Sequence, residues 1–184
     1  MTDVRKKLLI VNDEIDIMKR FRRKLTEYGV DVICANSYIE ALEKMEGHQF
    51  DVLLLDVVLP KLPGGDASDS VAIGASRATA IAFQQDNPGK PIILDSTYAK
   101  NKIKEFGLAG LSYVPDDMLF NVDARIDYIL NALGIEKTAN TPNAVKPDHA
   151  DLAVESEHFK TVRKIRGSAQ LFSPRDDNDA QHSR

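Results

Sequence analysis

Two short apolar runs, each followed at once by acidic or amide residues, constrain the fold of this chain most. Leu8–Val11 precedes Asn12 and Asp13, and Val52–Leu55 precedes Asp56. Unbroken apolar runs of this length are typical of strands that are buried on both faces of a parallel sheet. Open α/β sheets bind ligands at the carboxyl ends of their strands. The acids are therefore expected to meet at one edge, where carboxylates repel each other unless a cation joins them.

Apolar runs alternate with amphipathic segments along most of the chain. The pattern predicts strands at Lys7–Val11, Val30–Ala35, Val52–Asp56, Pro91–Asp95 and Leu111–Val114. It predicts helices at Glu14–Tyr28, Tyr38–Glu46, Ala72–Gln85, Ala99–Phe106 and Val122–Leu133. Regular alternation of this kind predicts an α/β fold with a doubly wound, five-stranded parallel sheet.

Composition indicates an ordinary globular domain with an extension. The chain has 184 residues, of which 43% are hydrophobic and 28% charged, and a net charge of −4. The alternating pattern is complete by residue 135, so we predict one domain at 1–135. Residues 136–184 form a polar C-terminal extension that we expect to be partly disordered. Neither the net charge nor any helix-turn-helix or zinc-finger pattern indicates a nucleic-acid partner.

No part of the sequence predicts a membrane segment. No apolar run reaches the roughly 20 residues that a membrane span needs, and the start of the chain lacks the apolar core of a signal peptide. The single cysteine, Cys34, excludes an internal disulfide. A cytoplasmic location without membrane contact is expected.

The two acid-terminated blocks resemble a known family. Leu8–Asp16 (LLIVNDEID) and Phe50–Pro60 (FDVLLLDVVLP) are similar to the first and third strands of a response-regulator receiver domain. The resemblance extends over residues 5–134 and implies the flavodoxin-like receiver fold. It also implies that a histidine kinase or another phosphodonor phosphorylates Asp56. The expected role is phosphorelay signal transduction in a two-component system, and not enzymatic turnover.

The same resemblance implies a magnesium site beside Asp56. Asn12 and Asp13 occupy the positions of the family's metal-side acidic pair, and Val58 would contribute a backbone carbonyl. Asn12 brings one negative charge less than the acid usually found there. We therefore expect Mg²⁺ to bind weakly.

Two further residues match the family's switch positions. Ser96 aligns with the hydroxyl residue that hydrogen-bonds a phosphoryl oxygen, and Thr97 takes its place if the register differs by one. The pair could equally cap the next helix. Tyr113 matches the aromatic residue of the fifth strand, although a strand tyrosine is also a routine packing residue.

The sequence departs from the family at the position of its phosphate-contacting lysine. Asp116 stands there, which reverses the local charge and would weaken phosphoryl binding if its side chain faces the pocket. Lys100 or Lys102 could substitute for the missing cation. Asp95 is an unusual residue for the end of a buried strand and adds further negative charge.

These features favour a response-regulator-like signalling protein without a recognisable output domain. It would act through protein contacts with an unidentified downstream partner. The alternative is a phosphorylation-independent pseudo-receiver that serves as an adaptor or scaffold. A phosphohydrolase of the haloacid-dehalogenase type fits poorly, because Val58 stands where that class needs a second aspartate. The segment from Asp56 to Pro91 is also about ten residues longer than the family pattern, which marks an irregular loop.

Overall fold

A computed structural model describes residues 5–65, 69–107 and 111–137. Within them the strands are β1 (Lys7–Val11), β2 (Asp31–Ala35), β3 (Val52–Leu55), β4 (Ile92–Leu94) and β5 (Leu111–Tyr113). The helices are α1 (Ile15–Glu27), α2 (Tyr38–Met45), α3 (Asp69–Asp86), α4 (Ala99–Phe106) and α5 (Val122–Leu133). All ten predicted elements are present, and most differ from prediction by one or two residues at an end.

The five strands form one parallel sheet in the order β2-β1-β3-β4-β5. The predicted doubly wound fold is confirmed. Two strands end one residue before their acids, but the hydrogen-bond ladder continues through them. The Asp56 N–H donates to the Val11 carbonyl at 2.9 Å, and the Asp95 N–H donates to the Leu55 carbonyl at 2.9 Å. Both acids are thereby held at the carboxyl edge of the sheet.

The sheet buries apolar residues on both faces, because successive side chains of a strand point to opposite sides. Helices α2, α3 and α4 cover one face, with the buried residues Leu9, Val11, Met45, Leu53, Leu55, Phe83, Leu94 and Phe106. Helices α1 and α5 cover the other face, with Leu8, Ile10, Phe21, Leu25, Leu54, Ile93, Ile126 and Ile129. Two layers of helix around one sheet place the strand ends, and not the faces, in reach of a ligand.

Helix α3 begins three residues before the predicted start, at Asp69. The extra length between Asp56 and Pro91 is thus divided between the loop and this helix. Two hydroxyls are buried in α3, and each donates to the backbone one turn earlier. Ser76 donates to the Ala72 carbonyl at 3.2 Å, and Thr79 donates to the Ala75 carbonyl at 2.9 Å. Polar residues on the buried side of the helix are therefore satisfied.

The end of α3 is joined to the start of β3 by one buried amide. The Phe50 N–H donates to Asn87 Oδ1 at 2.6 Å, and Asn87 Nδ2 donates to the Phe83 carbonyl at 3.3 Å. Asn87 is almost fully buried. Its side chain thus satisfies the Phe50 N–H and gives the Phe83 carbonyl a second donor, besides the Asn87 N–H at 2.8 Å.

An acid at the amino edge of the sheet binds three groups. Asp51 Oδ2 accepts from the Lys7 N–H at 3.0 Å, and Asp51 Oδ1 lies 2.9 Å from Lys90 Nζ and 3.7 Å from Lys6 Nζ. Burial pushes the pKa of Asp51 upward, but the Lys7 N–H and the two ammonium groups together hold it below its usual value. Asp51 therefore connects β1 to the turn before β4 in its ionised form.

The start of α2 is capped by the side chain of Ser37. The Glu40 N–H donates to Ser37 Oγ at 3.3 Å. Glu40 Oε2 accepts from the N–H of Asn36 at 2.7 Å, one residue before the position that a capping box usually uses. Both contacts satisfy donors at the helix start.

The loop after β3 satisfies two further donors of α2. The Tyr38 N–H donates to the Pro60 carbonyl at 3.0 Å, and the Ile39 N–H donates to the Lys61 carbonyl at 3.2 Å. The first part of this loop is thereby fixed to the neighbouring helix.

Most of the predicted extension at 136–184 lies outside the described residues, which end at residue 137. Within the described ranges no helix is long and apolar enough to cross a membrane.

Candidate functional site

Asp56 lies half-buried directly after β3, where the sequence places it. Its Oδ1 accepts from the Val58 N–H at 3.1 Å. Burial is the largest influence on its acidity and, together with repulsion from Asp13 and Asp95, raises the pKa of Asp56 to about 7; the N–H groups of Val58 and Val57 act in the opposite direction. This carboxyl group is thus held in an environment where its charge is costly.

Asn12 and Asp13 have different roles in the loop after β1. Asn12 is buried, and its Oδ1 accepts from the Glu14 N–H at 2.7 Å. Its own N–H donates to the Ala35 carbonyl at 3.0 Å. Asp13 is exposed and raises the pKa of Asp56 by repulsion. Asn12 therefore braces the loop, whereas Asp13 shares the electrostatic environment of Asp56.

The oxygen atoms at this edge fit a weakly held hard cation. Among the described residues, no group of three or more His, Cys, Asp and Glu side chains is arranged to hold a metal. The carboxylates of Asp13 and Asp56 share this environment, and the family resemblance implies the backbone carbonyl of Val58 as a third donor. Few protein ligands suit Mg²⁺, which usually keeps several of its waters. A cation here would also relieve the repulsion that raises the pKa of Asp56.

Ser96 lies half-buried in the loop between β4 and α4. Its Oγ accepts from the Tyr98 N–H at 3.4 Å, a local turn contact before the helix, and Thr97 beside it is exposed. The helix cap that the sequence left open for Ser96 and Thr97 is not formed, because Tyr98 is the N-cap of α4 and no side chain caps it. The turn contact is compatible with the predicted hydrogen bond to a phosphoryl oxygen, because the hydroxyl proton of Ser96 remains a donor.

Tyr113 lines an open cavity of about 700 Å³ between α4, β5 and α5. Asp116 is exposed and lines the same cavity, with Lys100 and Tyr128. Neither Asp13 nor Asp56 lines it. The charge reversal at Asp116 is therefore directed at a different surface, and the carboxylates that raise the pKa of Asp56 are Asp13 and Asp95.

A buried ion pair that sequence reasoning missed lies next to Asp56. Arg125, in the first turn of α5, donates from Nη2 to Asp95 Oδ2, and both residues are less than a tenth exposed. Burial raises the pKa of Asp95 and Glu14 adds to the rise, whereas Arg125 opposes it. The pair links the end of β4 to the start of α5.

The guanidinium of Arg125 has two further contacts. Nη1 donates to the Leu119 carbonyl at 3.2 Å, and the group lies 4.5 Å from the centre of the Phe21 ring in α1. Within the described residues, Asp95 Oδ1 and Arg125 Nε are buried without a hydrogen-bond partner. The pair is therefore only partly satisfied.

Two signals in the sequence could have indicated this pair. Arg125 lies on the buried face of α5, directly before the buried apolar positions Ile126 and Ile129. Asp95 is the acid already noted as unusual at a strand end. A cation on an apolar helix face and an acid at a buried strand end each need a partner, and each satisfies the other.

Solved structures resemble this fold. The chemotaxis response regulator CheY4 of Vibrio cholerae is 25% identical, with a TM-score of 0.51, over 70% of this chain and 99% of that one. The response regulator TrrA of Thermotoga maritima, in complex with Mg²⁺ and BeF, is 20% identical, with a TM-score of 0.50, over 69% of this chain and 98% of that one.

A parallel sheet in this order, with acids at its carboxyl edge, places the protein among the flavodoxin-like α/β sandwiches of the CheY type. The response regulator receiver domain family matches residues 8–106, more than half of the chain, and the protein belongs to that family. The predicted resemblance is confirmed. Receiver domains of this family belong to two-component systems, generally depend on Mg²⁺ for phosphorylation and generally interact with histidine kinases as phosphodonors.

Among curated proteins, the alkaline phosphatase synthesis transcriptional regulatory protein PhoP of Bacillus subtilis is 46% identical over 59 residues. That alignment covers 32% of this chain and 25% of PhoP. The chain thus spans about a quarter of the length of this relative.

Proposed function

We propose that this protein is a phosphorylation-controlled signalling switch whose phosphoacceptor is Asp56. The observation that carries the proposal is the half-buried Asp56 carboxyl, held at the end of β3 beside the loop that carries Asp13. Membership of the receiver family supports the assignment. The phosphodonor is proposed to be a histidine kinase, and the protein itself is proposed not to be an enzyme that turns over a small substrate.

In the proposed reaction, a carboxylate oxygen of Asp56 attacks the phosphorus of a phosphohistidine. A P–O bond forms, the P–N bond breaks, and the departing imidazole takes up a proton. Only ionised Asp56 can attack, and a pKa of about 7 leaves roughly half of it protonated at neutral pH. Bound Mg²⁺, held by Asp13, Asp56 and the Val58 carbonyl, would favour the ionised form and offset charge on the phosphoryl oxygens.

The relatives support the coarse role and not the identity of a partner. TrrA was crystallised with Mg²⁺ and BeF, which is consistent with a cation site at the same edge here. PhoP is a transcriptional regulator four times as long as the matched segment. We propose that residues 5–137 contact other proteins and have no nucleic-acid partner of their own.

The switch residues support a route from Asp56 to the surface. Ser96 follows Asp95 at the end of β4, and Tyr113 lies on the neighbouring β5. Tyr113 also lines the cavity that Tyr128 and Lys100 share. Phosphorylation would bias two conformations of this region if the phosphoryl group binds them with different affinity.

A phosphorylation-independent adaptor is the second candidate. It is favoured by the position of Asn12, whose side-chain oxygen is occupied by the Glu14 N–H. It is also favoured by the absence of the family's lysine, since Asp116 is exposed on another surface.

The test is Mg²⁺-dependent phosphorylation by a small-molecule phosphodonor such as phosphoramidate. We expect one acid-labile phosphate in the wild type, its loss in Asp56→Asn, and weaker Mg²⁺ binding by that variant. Asp31→Asn is the matched control, because Asp31 is exposed at the opposite edge of the sheet. A folded wild type that takes up no phosphate and binds no Mg²⁺ would support the adaptor instead.

A further inference from the structure

The site lacks a cation at the family's lysine position. A buried guanidinium, that of Arg125, nevertheless contacts Asp95, the acid beside Asp56. Asp95 and Asp56 follow the paired positions Leu94 and Leu55 of neighbouring parallel strands. The Asp95 N–H donates to the Leu55 carbonyl, which fixes the two acids side by side. Arg125 binds Asp95, so its guanidinium is held at the acid that neighbours the carboxyl proposed to be phosphorylated.

The ion pair is incomplete in a way that leaves Arg125 able to bind a second anion. Burying an ion pair costs free energy that only full hydrogen bonding recovers. Arg125 Nε and Asp95 Oδ1 are nevertheless buried without partners in the described part of the chain. An arginine has five donors in a planar fork that matches phosphoryl oxygens. Here two of its nitrogens are engaged, by Asp95 and by the Leu119 carbonyl.

We propose that Arg125 replaces the missing lysine as the phosphoryl-binding cation, by exchanging Asp95 for oxygens of a phosphoryl group on Asp56. This inference rests on the proposed function of Asp56. Asp95 then acts as the holder of the guanidinium in the unphosphorylated state. The negative charge at the end of β4 is thus explained as part of the same device.

The exchange would have a mechanical consequence on the α1/α5 side of the sheet. Arg125 binds the carbonyl of Leu119 in the turn at 116–120 and contacts the Phe21 ring of α1. If the guanidinium moves toward Asp56, its contacts with the Leu119 carbonyl and the Phe21 ring either break or draw those groups along. The turn at 116–120 is therefore coupled to the phosphoryl group without any contact between them.

The competing explanation is that the ion pair only anchors α5 to the sheet. A structural pair predicts that removing either partner destabilises the fold and leaves anion binding of the folded protein unchanged. The two explanations therefore differ in affinity for a phosphoryl analogue, and not in stability.

The test measures binding of beryllium fluoride in the presence of saturating Mg²⁺, by the fluorescence of a tyrosine or by calorimetry. Arg125→Gln is expected to weaken beryllium fluoride binding by roughly tenfold to a hundredfold, the worth of a charge-assisted hydrogen bond. Affinity for Mg²⁺ alone should not fall. Arg23→Gln is the matched control, because Arg23 is an exposed arginine of α1; the affinity of this variant for beryllium fluoride should equal that of the wild type.

A double-mutant cycle separates Arg125 from a general charge effect. Asp95→Asn removes the acid that pairs with Arg125 and, as a single variant, should tighten the binding of beryllium fluoride. If the gain comes through Arg125, it should shrink when Asp95→Asn is combined with Arg125→Gln. An equal gain in both backgrounds would overturn the proposal, because it would show only that Asp95 repels the anion.

The wild type provides a readout that needs no variant. The Arg125 Nε–H resonance in a ¹⁵N spectrum should shift when beryllium fluoride is added with Mg²⁺, because this unpartnered donor gains an acceptor. An unmoved resonance at saturation would overturn the inference while leaving Asp56 as the phosphoacceptor. Loss of beryllium fluoride binding in Arg125→Gln but not in Asp56→Asn would instead overturn the proposed function.

Discussion

Asp56 combines two requirements that oppose each other at the scale of one residue. Burial and two neighbouring acids raise the pKa of Asp56 to about 7, which disfavours the ionised form that phosphorylation needs. The same neighbours are the groups that attract a divalent cation. About half of Asp56 is therefore protonated at neutral pH without Mg²⁺. Metal binding is expected to raise the ionised fraction of Asp56 and, with it, the reactivity of the carboxylate.

The first prediction concerns the pH dependence of stability in metal-free buffer. The folded protein holds a proton on Asp56 that the unfolded chain releases near its ordinary pKa of about 3.9. The free energy of unfolding should therefore fall as pH rises from about 4 to about 7 and then level off. Asp56→Asn should remove this pH-dependent loss of stability. In urea unfolding, the variant should be more stable than the wild type by a few kcal/mol at pH 8, and the two proteins should be nearly equal at pH 4.

Asp51→Asn provides a control of opposite sign. The pKa of Asp51 is held below its usual value, so its ionised form stabilises the fold above pH 4 and that stability is lost as pH falls through the folded pKa. Asp51→Asn should destabilise the protein at pH 7 and approach the wild type in acid. Identical pH profiles for the two variants would contradict both assignments.

The second prediction concerns Asp116. This residue is exposed and lines the cavity with Tyr113, away from the acids around Asp56. Exposed charges are screened by solvent and salt. Asp116→Lys should therefore change beryllium fluoride affinity by no more than about threefold in calorimetry at physiological salt. A gain of tenfold or more would show that the turn at 116–120 brings residue 116 into the pocket.

At the scale of the element, each end of the sheet is tied by buried polar groups. Arg125 and Asp95 connect α5 to β4 at the carboxyl edge. Asn87 connects the end of α3 to the start of β3 at the amino edge. Such contacts contribute register and orientation, because they are satisfied in one arrangement of the elements only.

The third prediction tests the amino-edge contact. Asn87→Ala leaves the buried Phe50 N–H and the Phe83 carbonyl with one partner fewer each. An unsatisfied buried group costs about 1–3 kcal/mol, so urea denaturation should show a loss of this size. Gln49→Ala is the control, since its exposed contact with the Asp86 carbonyl should contribute much less. Equal losses for both variants would show that burial does not determine the effect.

At the scale of the whole molecule, the fold was predictable because its pattern is local. Apolar runs and helical spacing are properties of neighbouring residues, and the limits of Lys7–Val11, Ala99–Phe106 and Val122–Leu133 match the sequence prediction. The start of α3 was placed late, because its first turn lacks the apolar periodicity on which the prediction relied.

The site was predictable only where it follows a strand end. The positions of Asp13, Asp56 and Ser96 after strand ends were predicted in this way, and their roles stay predictions. Arg125 and its contact with Asp95 depend on packing between distant elements. The use of Asn12 Oδ1 by the Glu14 N–H was also invisible in the sequence, because the choice between a turn and a metal ligand depends on rotamer and loop geometry.

The fourth prediction concerns the predicted extension at 136–184. The sheet and both helix layers are complete by Leu133, the end of α5. A protein truncated after Lys137 should therefore retain a cooperative melting transition close to that of the full chain. The segment Phe159–Arg166, in which apolar and basic residues are interspersed, lies outside the described residues. Calorimetry that finds no transition in the truncated protein would show that the removed residues stabilise the domain.

The length of the loop after β3 is constrained by its contacts with α2. The Pro60 and Lys61 carbonyls accept from the first N–H groups of α2, a helix on one face of the sheet. These contacts fix the number of residues between Asp56 and Lys61. A residue gained or lost within this stretch would uncap that helix and displace the acid at the same time. We therefore expect an inserted epitope or reporter to be tolerated better after Lys61 than between Asp56 and Lys61, because the spacing that positions the acid then stays constant.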